Sequence, residues 1–220
     1  MTDVPGRPGA AWIDLYWIPL GAGQNSVRIN GIVYEATLAA LQRRGRCDLY
    51  HAVLELRVPS GHYWIEMTPV PDRHGDRRGV VAQGPVGLAA LGRFRLFRYE
   101  IRCWPDGVVP DLAYAVDSPV RLTTDLLMAQ RVFDFLPRVP TLVWGRDECS
   151  VGDMWSCNSI ISWTLARAGV DVSSIRMPTH ARAPGWEAGI AIAHAKCNRL
   201  RTATVTGSGV PEGAPIGKGP

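Results

Sequence analysis

Residues 152–169 limit what this chain can fold into more than any other run, because they read as one helix with a cysteine in its first turn. Ile160, Ile161, Leu165 and Ala168 recur at helical spacing, and Gly169 stands where a helix C-terminal glycine belongs. Asp153 or Ser156 supplies an N-cap oxygen. Either choice sets Cys157 beside the unpaired amides and positive dipole end that favour a thiolate. The thiol is therefore expected to have a depressed pKa and to act as a nucleophile; the plain alternative is a small buried hydrophobe.

The chain has 220 residues, 46% hydrophobic and 20% charged, enough for one domain with a substantial core. Its 5 cysteines, Cys47, Cys103, Cys149, Cys157 and Cys197, show no CxxC and no paired spacing. No basic stretch followed by an apolar run opens the chain, and no run is long enough to span a bilayer. Reduced thiols and a cytoplasmic location are expected. Net charge is +4, with Lys196 and Lys218 the only lysines. Acidic residues interrupt the arginines along 93–102, which reads as a solvated sheet edge rather than a nucleic-acid footprint.

Taken in order, residues 1–10 form a flexible N-terminus, 11–197 a single domain and 198–220 a disordered tail poor in large apolar side chains. Within the domain, 11–20 reads as a strand, 32–44 as an amphipathic helix and 49–69 as a β-hairpin turning at Pro59, Ser60 and Gly61. Residues 71–92 read as a long irregular excursion of the kind that borders clefts. A strand follows over 93–104, then a short helix over 110–116. A further helix is capped by Thr123 or Thr124 and ended by Pro137. Residues 189–195 suit a strand or a short helix. Trp155, Trp163 and Trp186 are expected in the core before a pocket wall. This order gives an α+β fold with an antiparallel sheet packed against the cysteine helix.

A thiol nucleophile needs a base and a group that orients the base. In the hairpin, Tyr50, Ala52, Leu54, Leu56 and Val58 alternate onto one face, so His51 lies on the other. A two-residue turn makes paired positions sum to an odd number. That sets His51 on one face with His62, Trp64, Glu66 and Thr68. Glu66 lies nearer the cross-strand position of His51 than His62 does. The candidate site is therefore Cys157 with His51 as base and Glu66 as orienting acid, His62 being the alternative third member. The sequence lacks HExxH, a P-loop and GxGxxG before a helix, so no cofactor and no metal are expected.

With His51 ahead of Cys157, the order of these residues resembles the circularly permuted branch of the papain-like superfamily, which includes NlpC-type and lecithin retinol acyltransferase-like thiol hydrolases. The run from Cys157 to Trp163 is similar to the NlpC-type pattern of cysteine, small polar, small, two apolar, polar and aromatic. Residues 65–69 are similar to the segment bearing that family's third polar residue. Ser156, Asn158 and Ser159 depart from it, standing where Asp or Asn, Ser and Gly are common. The resemblance implies a papain-like fold and a thiol hydrolase or acyltransferase that cleaves an amide, ester or thioester of a small-molecule, lipid or peptide substrate. The alternative is a non-catalytic binding or structural domain on the same fold.

Overall fold

A computed structural model describes residues 10–20, 47–70 and 79–194. The expected helix over 32–44, the flexible N-terminus and the C-terminal tail lie outside the described residues. The elements are β1 (Trp12–Pro19), β2 (Asp48–Val58), β3 (Gly61–Pro69), β4 (Val80–Pro85), β5 (Arg98–Pro105), β6 (Val116–Thr123), α1 (Leu126–Phe135), α2 (Cys157–Ala168), β7 (Ala181–Arg182) and α3 (Trp186–His194). The fold is α+β. Its sheet runs β4-β5-β3-β2-β1-β6 with antiparallel pairing throughout, and the two-residue β7 adds a short parallel contact to the start of β2.

The β2–β3 hairpin pairs Leu54 with Ile65 and Leu56 with Tyr63, so its positions sum to an odd number as expected. Two cores follow from that alternation. Tyr50, Ala52, Leu54 and Leu56 of β2 join Leu15 and Trp17 of β1 under α1, α2 and α3, where Ile160, Ile161 and Leu165 are all fully buried. Each such side chain contributes about 1.5–3 kcal/mol by leaving water. On the opposite face Val53, Ile18, Trp64 and Val109 form a smaller cluster. Trp155, Trp163 and Trp186 belong to the larger core, and Trp17 meets Trp186 with ring centroids 5.1 Å apart.

Several boundaries differ from the sequence expectations. The excursion over 71–92 contains β4, an edge strand that Gly84 and Pro85 disguise. The strand expected from 93 begins at Arg98, because residues 89–93 and 95–97 form two 3-10 turns. Residues 116–123 form β6, whose Pro119 lacks the amide of an interior strand and suits an edge. The next helix is capped by Asp125, whose carboxylate accepts from Met128 N at 2.7 Å, rather than by Thr123 or Thr124. The run over 189–195, which suited a strand or a short helix, lies through His194 in the helix α3, which begins earlier, at Trp186. Cys149 is disulfide-bonded, against the expectation of reduced thiols. Among the described residues no helix is long and apolar enough to cross a membrane.

Candidate functional site

Cys157 is the first residue of α2, as its sequence position required. Ser156 caps the helix: its Oγ accepts from Asn158 N at 3.1 Å, and its own amide donates to Ser159 Oγ at 2.9 Å. Gly169 closes the other end in a left-handed conformation at φ 91°. The start of α2 is also sewn to the turn before α3. Ser156 Oγ donates to Pro184 O at 2.6 Å, Ser159 Oγ donates to Gly185 O at 2.7 Å, and Asp153 Oδ2 accepts from Gly185 N at 2.8 Å. Gly185 is required there, since its φ is +88° and a Cβ would run into Ser156 Oγ.

Asn158 ties this helix start to the strand of His51. Its Oδ1 accepts from Ala52 N at 2.8 Å, and its Nδ2 donates to Tyr50 O at 3.0 Å and to Pro184 O at 2.9 Å. β2 and β3 stop pairing at Leu54 and Ile65, and beyond that point the Asn158 amide takes up the backbone groups on either side of His51. In sequence this asparagine is a departure from the pattern that the run from Cys157 resembles. Its amide, with donors and an acceptor on one short stem, is the signal that was available.

Backbone adjacency does not bring the side chains of the expected triad together. His51 pairs with Ile18 across β1 and shares a face with Val53, the side of the smaller cluster, whereas Cys157 belongs to the main core. Among the described residues no hydrogen bond joins the thiol to the His51 ring. Burial holds the ring neutral, its pKa lowered to about 4. Cys157 is buried, and that burial pushes its thiol pKa up to about 11, outweighing the amides of Asn158 and Cys157 and the Ser156 hydroxyl. This reverses the expected depression. The dipole end is present, but removal from water is the larger effect, and no charged imidazole offsets it.

Glu66 lies on the His51 face, as the odd register requires. Continuing that register sets it opposite Val53, diagonal to His51. Its carboxylate is committed elsewhere: Oε1 accepts from Arg102 Nη1 at 2.9 Å, and Arg102 also donates through Nε to Glu100 at 2.6 Å. Burial raises the Glu66 pKa and Arg102 opposes the rise. His62, the alternative third member, donates or accepts at 2.8 Å with Glu55, which also accepts from Tyr16 OH at 2.7 Å. Neither acid-base partner is oriented on His51. A cavity of about 690 Å³ opens between β6, α1 and residues 169–178, and neither Cys157 nor His51 lines it.

No family model matches this chain, and neither does any curated protein or solved structure.

Proposed function

We propose that this protein is a cysteine hydrolase or acyltransferase on a permuted papain-like scaffold, with Cys157 as nucleophile and His51 as base. The observation that carries the reading is the Asn158 amide, which fixes the cysteine-bearing helix start to the backbone immediately flanking His51. The His51 ring is neutral at physiological pH and so in the protonation state a base needs. In the reaction His51 takes the thiol proton, the thiolate attacks a carbonyl carbon of an ester, amide or thioester, and helix-start amides stabilise the oxyanion. The proton passes to the leaving group, and water resolves the acyl-enzyme. Because His51 lies on the side of the smaller cluster and Cys157 in the main core, this requires the backbone of β2 at His51 to shift, together with both side chains, when substrate binds.

A second reading, a binding domain on the same scaffold, is favoured by the buried thiol with its pKa near 11 and by the engagement of Glu66 with Arg102. One experiment separates them. The protein is incubated with p-nitrophenyl acetate near pH 7.5 and acylation is followed by intact mass and peptide mapping. Acylation at Cys157, abolished in Cys157→Ala and slowed at least about a hundredfold in His51→Ala, supports the hydrolase, since a positioned base supplies roughly 10²–10⁴ in rate. Acylation that is absent, or unchanged in His51→Ala, supports the binding domain.

A further inference from the structure

The segment joining β4 to β5 carries four of the large apolar side chains exposed on the described surface. Across residues 88–97 the chain makes two 3-10 turns that bury no residue. Four large apolar side chains stand out from it: Leu88 at 52% exposure, Phe94 at 49%, Leu96 at 77% and Phe97 at 37%. Single exposed apolar residues need no explanation, but four within ten positions make a patch. Arginines are interleaved with them. The Arg93 guanidinium lies over the Phe94 ring, 4.7 Å from its centroid, and Arg98 reaches Gln83 at 3.2 Å. No acidic residue occurs between Asp76 and Glu100, and Glu100 itself is buried against Arg102.

The neighbouring loop brings one further arginine beside the patch, followed in sequence by Asp147 and Glu148. Arg146 donates through Nε to Gly87 O at 2.8 Å, while the carboxylate of the adjacent Asp147 is turned into its own loop by the amides of Val151 and Gly152. The patch thus combines protruding apolar side chains with a local excess of fixed positive charge. Its position is held by backbone bonds, Gly87 N to Trp144 O at 3.0 Å and Trp144 N to Pro85 O at 2.9 Å.

We propose that this patch is a docking surface for an anionic lipid bilayer. Leu88, Phe94, Leu96 and Phe97 insert at the headgroup boundary, and Arg93, Arg98 and Arg146 meet the lipid phosphates and carboxylates. An acidic protein partner would be complementary to the arginines. The bilayer is favoured because four large apolar side chains are exposed on one short connection that buries no residue of its own, and because arginine on an apolar segment suits the interface between headgroups and acyl chains. The proposal does not depend on the thiol chemistry.

Full-length protein is sedimented with vesicles of phosphatidylcholine alone and of phosphatidylcholine containing phosphatidylserine, at low and at physiological salt. Binding to the anionic vesicles, weakened by salt and absent from the neutral ones, is expected. Leu96→Ser should weaken it roughly tenfold, and Arg93→Gln roughly fivefold, corresponding to about 1 kcal/mol for one arginine near a charged surface. Both residues are exposed, so unchanged urea midpoints establish that the variants keep the fold. No binding of the parent protein to anionic vesicles, or equal binding of parent and Leu96→Ser, overturns the proposal. Self-association in analytical ultracentrifugation that Leu96→Ser abolishes, without vesicle binding, overturns it too by identifying the patch as a protein interface.

Discussion

His51 and Asn158 sit on either side of one junction, and each has a consequence for stability. The His51 pKa falls from 6.5 to about 4 on burial, so the unfolded chain takes up the proton first. Stability is therefore full above about pH 6.5 and is lost as pH falls toward 4. His51 as a residue is half-buried, which discounts the loss to roughly 2 kcal/mol. His51→Gln removes this titration, and its urea midpoint should change less between about pH 7 and pH 4 than that of the parent. An undiminished slope would mean that His51 titrates normally. Asn158→Asp keeps the acceptor for Ala52 N and turns donors toward the carbonyls of Tyr50 and Pro184 into a buried carboxylate. A loss of roughly 3–5 kcal/mol near neutral pH is expected, shrinking in acid as the new carboxyl takes up a proton. A midpoint within error of the parent's would dissolve the junction. The cysteine's place at a helix start was legible because capping and periodicity are local. The thiol's pKa was not, since it follows from burial in the packed core, and the role of Asn158 was not, since it depends on where β3 leaves β2.

At the scale of elements, α2 and α3 cross where both are small. Ser162 Oγ donates to Trp186 O at 2.7 Å, and a Cβ on Gly189 would strike Ser162 Oγ and the Ser159 carbonyl. Gly189→Ala gains helix propensity, yet overpacking against a backbone carbonyl outweighs it. A net loss of roughly 1–3 kcal/mol in chemical denaturation is expected, and a stabilised variant would show that the helices do not approach so closely. The same crossing decides residues 189–195, which suited a strand or a short helix in sequence and lie through His194 in α3. Gly189, Ile190, Ala191, Ile192 and Ala193 alternate small and large residues, which fits a strand as well as a helix, and the contact with α2 selects the helix. A similar period-two alternation of arginine and apolar residues over 93–96 fits the start of the strand expected over 93–104, but that segment turns out of the sheet. The hairpin register was legible because Gly61 and the flanking alternation fix it locally. β4 and β6 were hidden by the prolines and glycines that edge strands tolerate.

Over the described residues the sheet has two unlike faces, and the second was less legible in the sequence because two of its charge pairs, Asp14 with Arg121 and Glu66 with Arg102, join strands far apart in the chain. The helical face is apolar and legible from periodicity. The other carries Asp14 with Arg121, Glu55 with His62 and Tyr16, and Glu66 with Arg102 and Glu100. The last group is the most deeply buried, with Glu66 at 6% exposure, Arg102 at 8% and Glu100 at 1%. Arg102→Leu preserves much of the packing volume and leaves the Glu66 carboxylate in the interior without its cation. The expected cost near neutral pH is roughly 3–5 kcal/mol, because an uncompensated buried charge is far more expensive than the intact pair is stabilising. Burial already raises the Glu66 pKa against the pull of Arg102, so removing the arginine raises it further above the unfolded value. The folded variant then binds the proton more tightly than the unfolded chain, and its deficit narrows as pH falls through the carboxylate range. Adding Glu66→Gln should recover part of the loss and flatten the profile. A deficit that stays constant from neutral to acid pH would mean that Arg102 acts only through packing and that Glu66 is not held ionised by it.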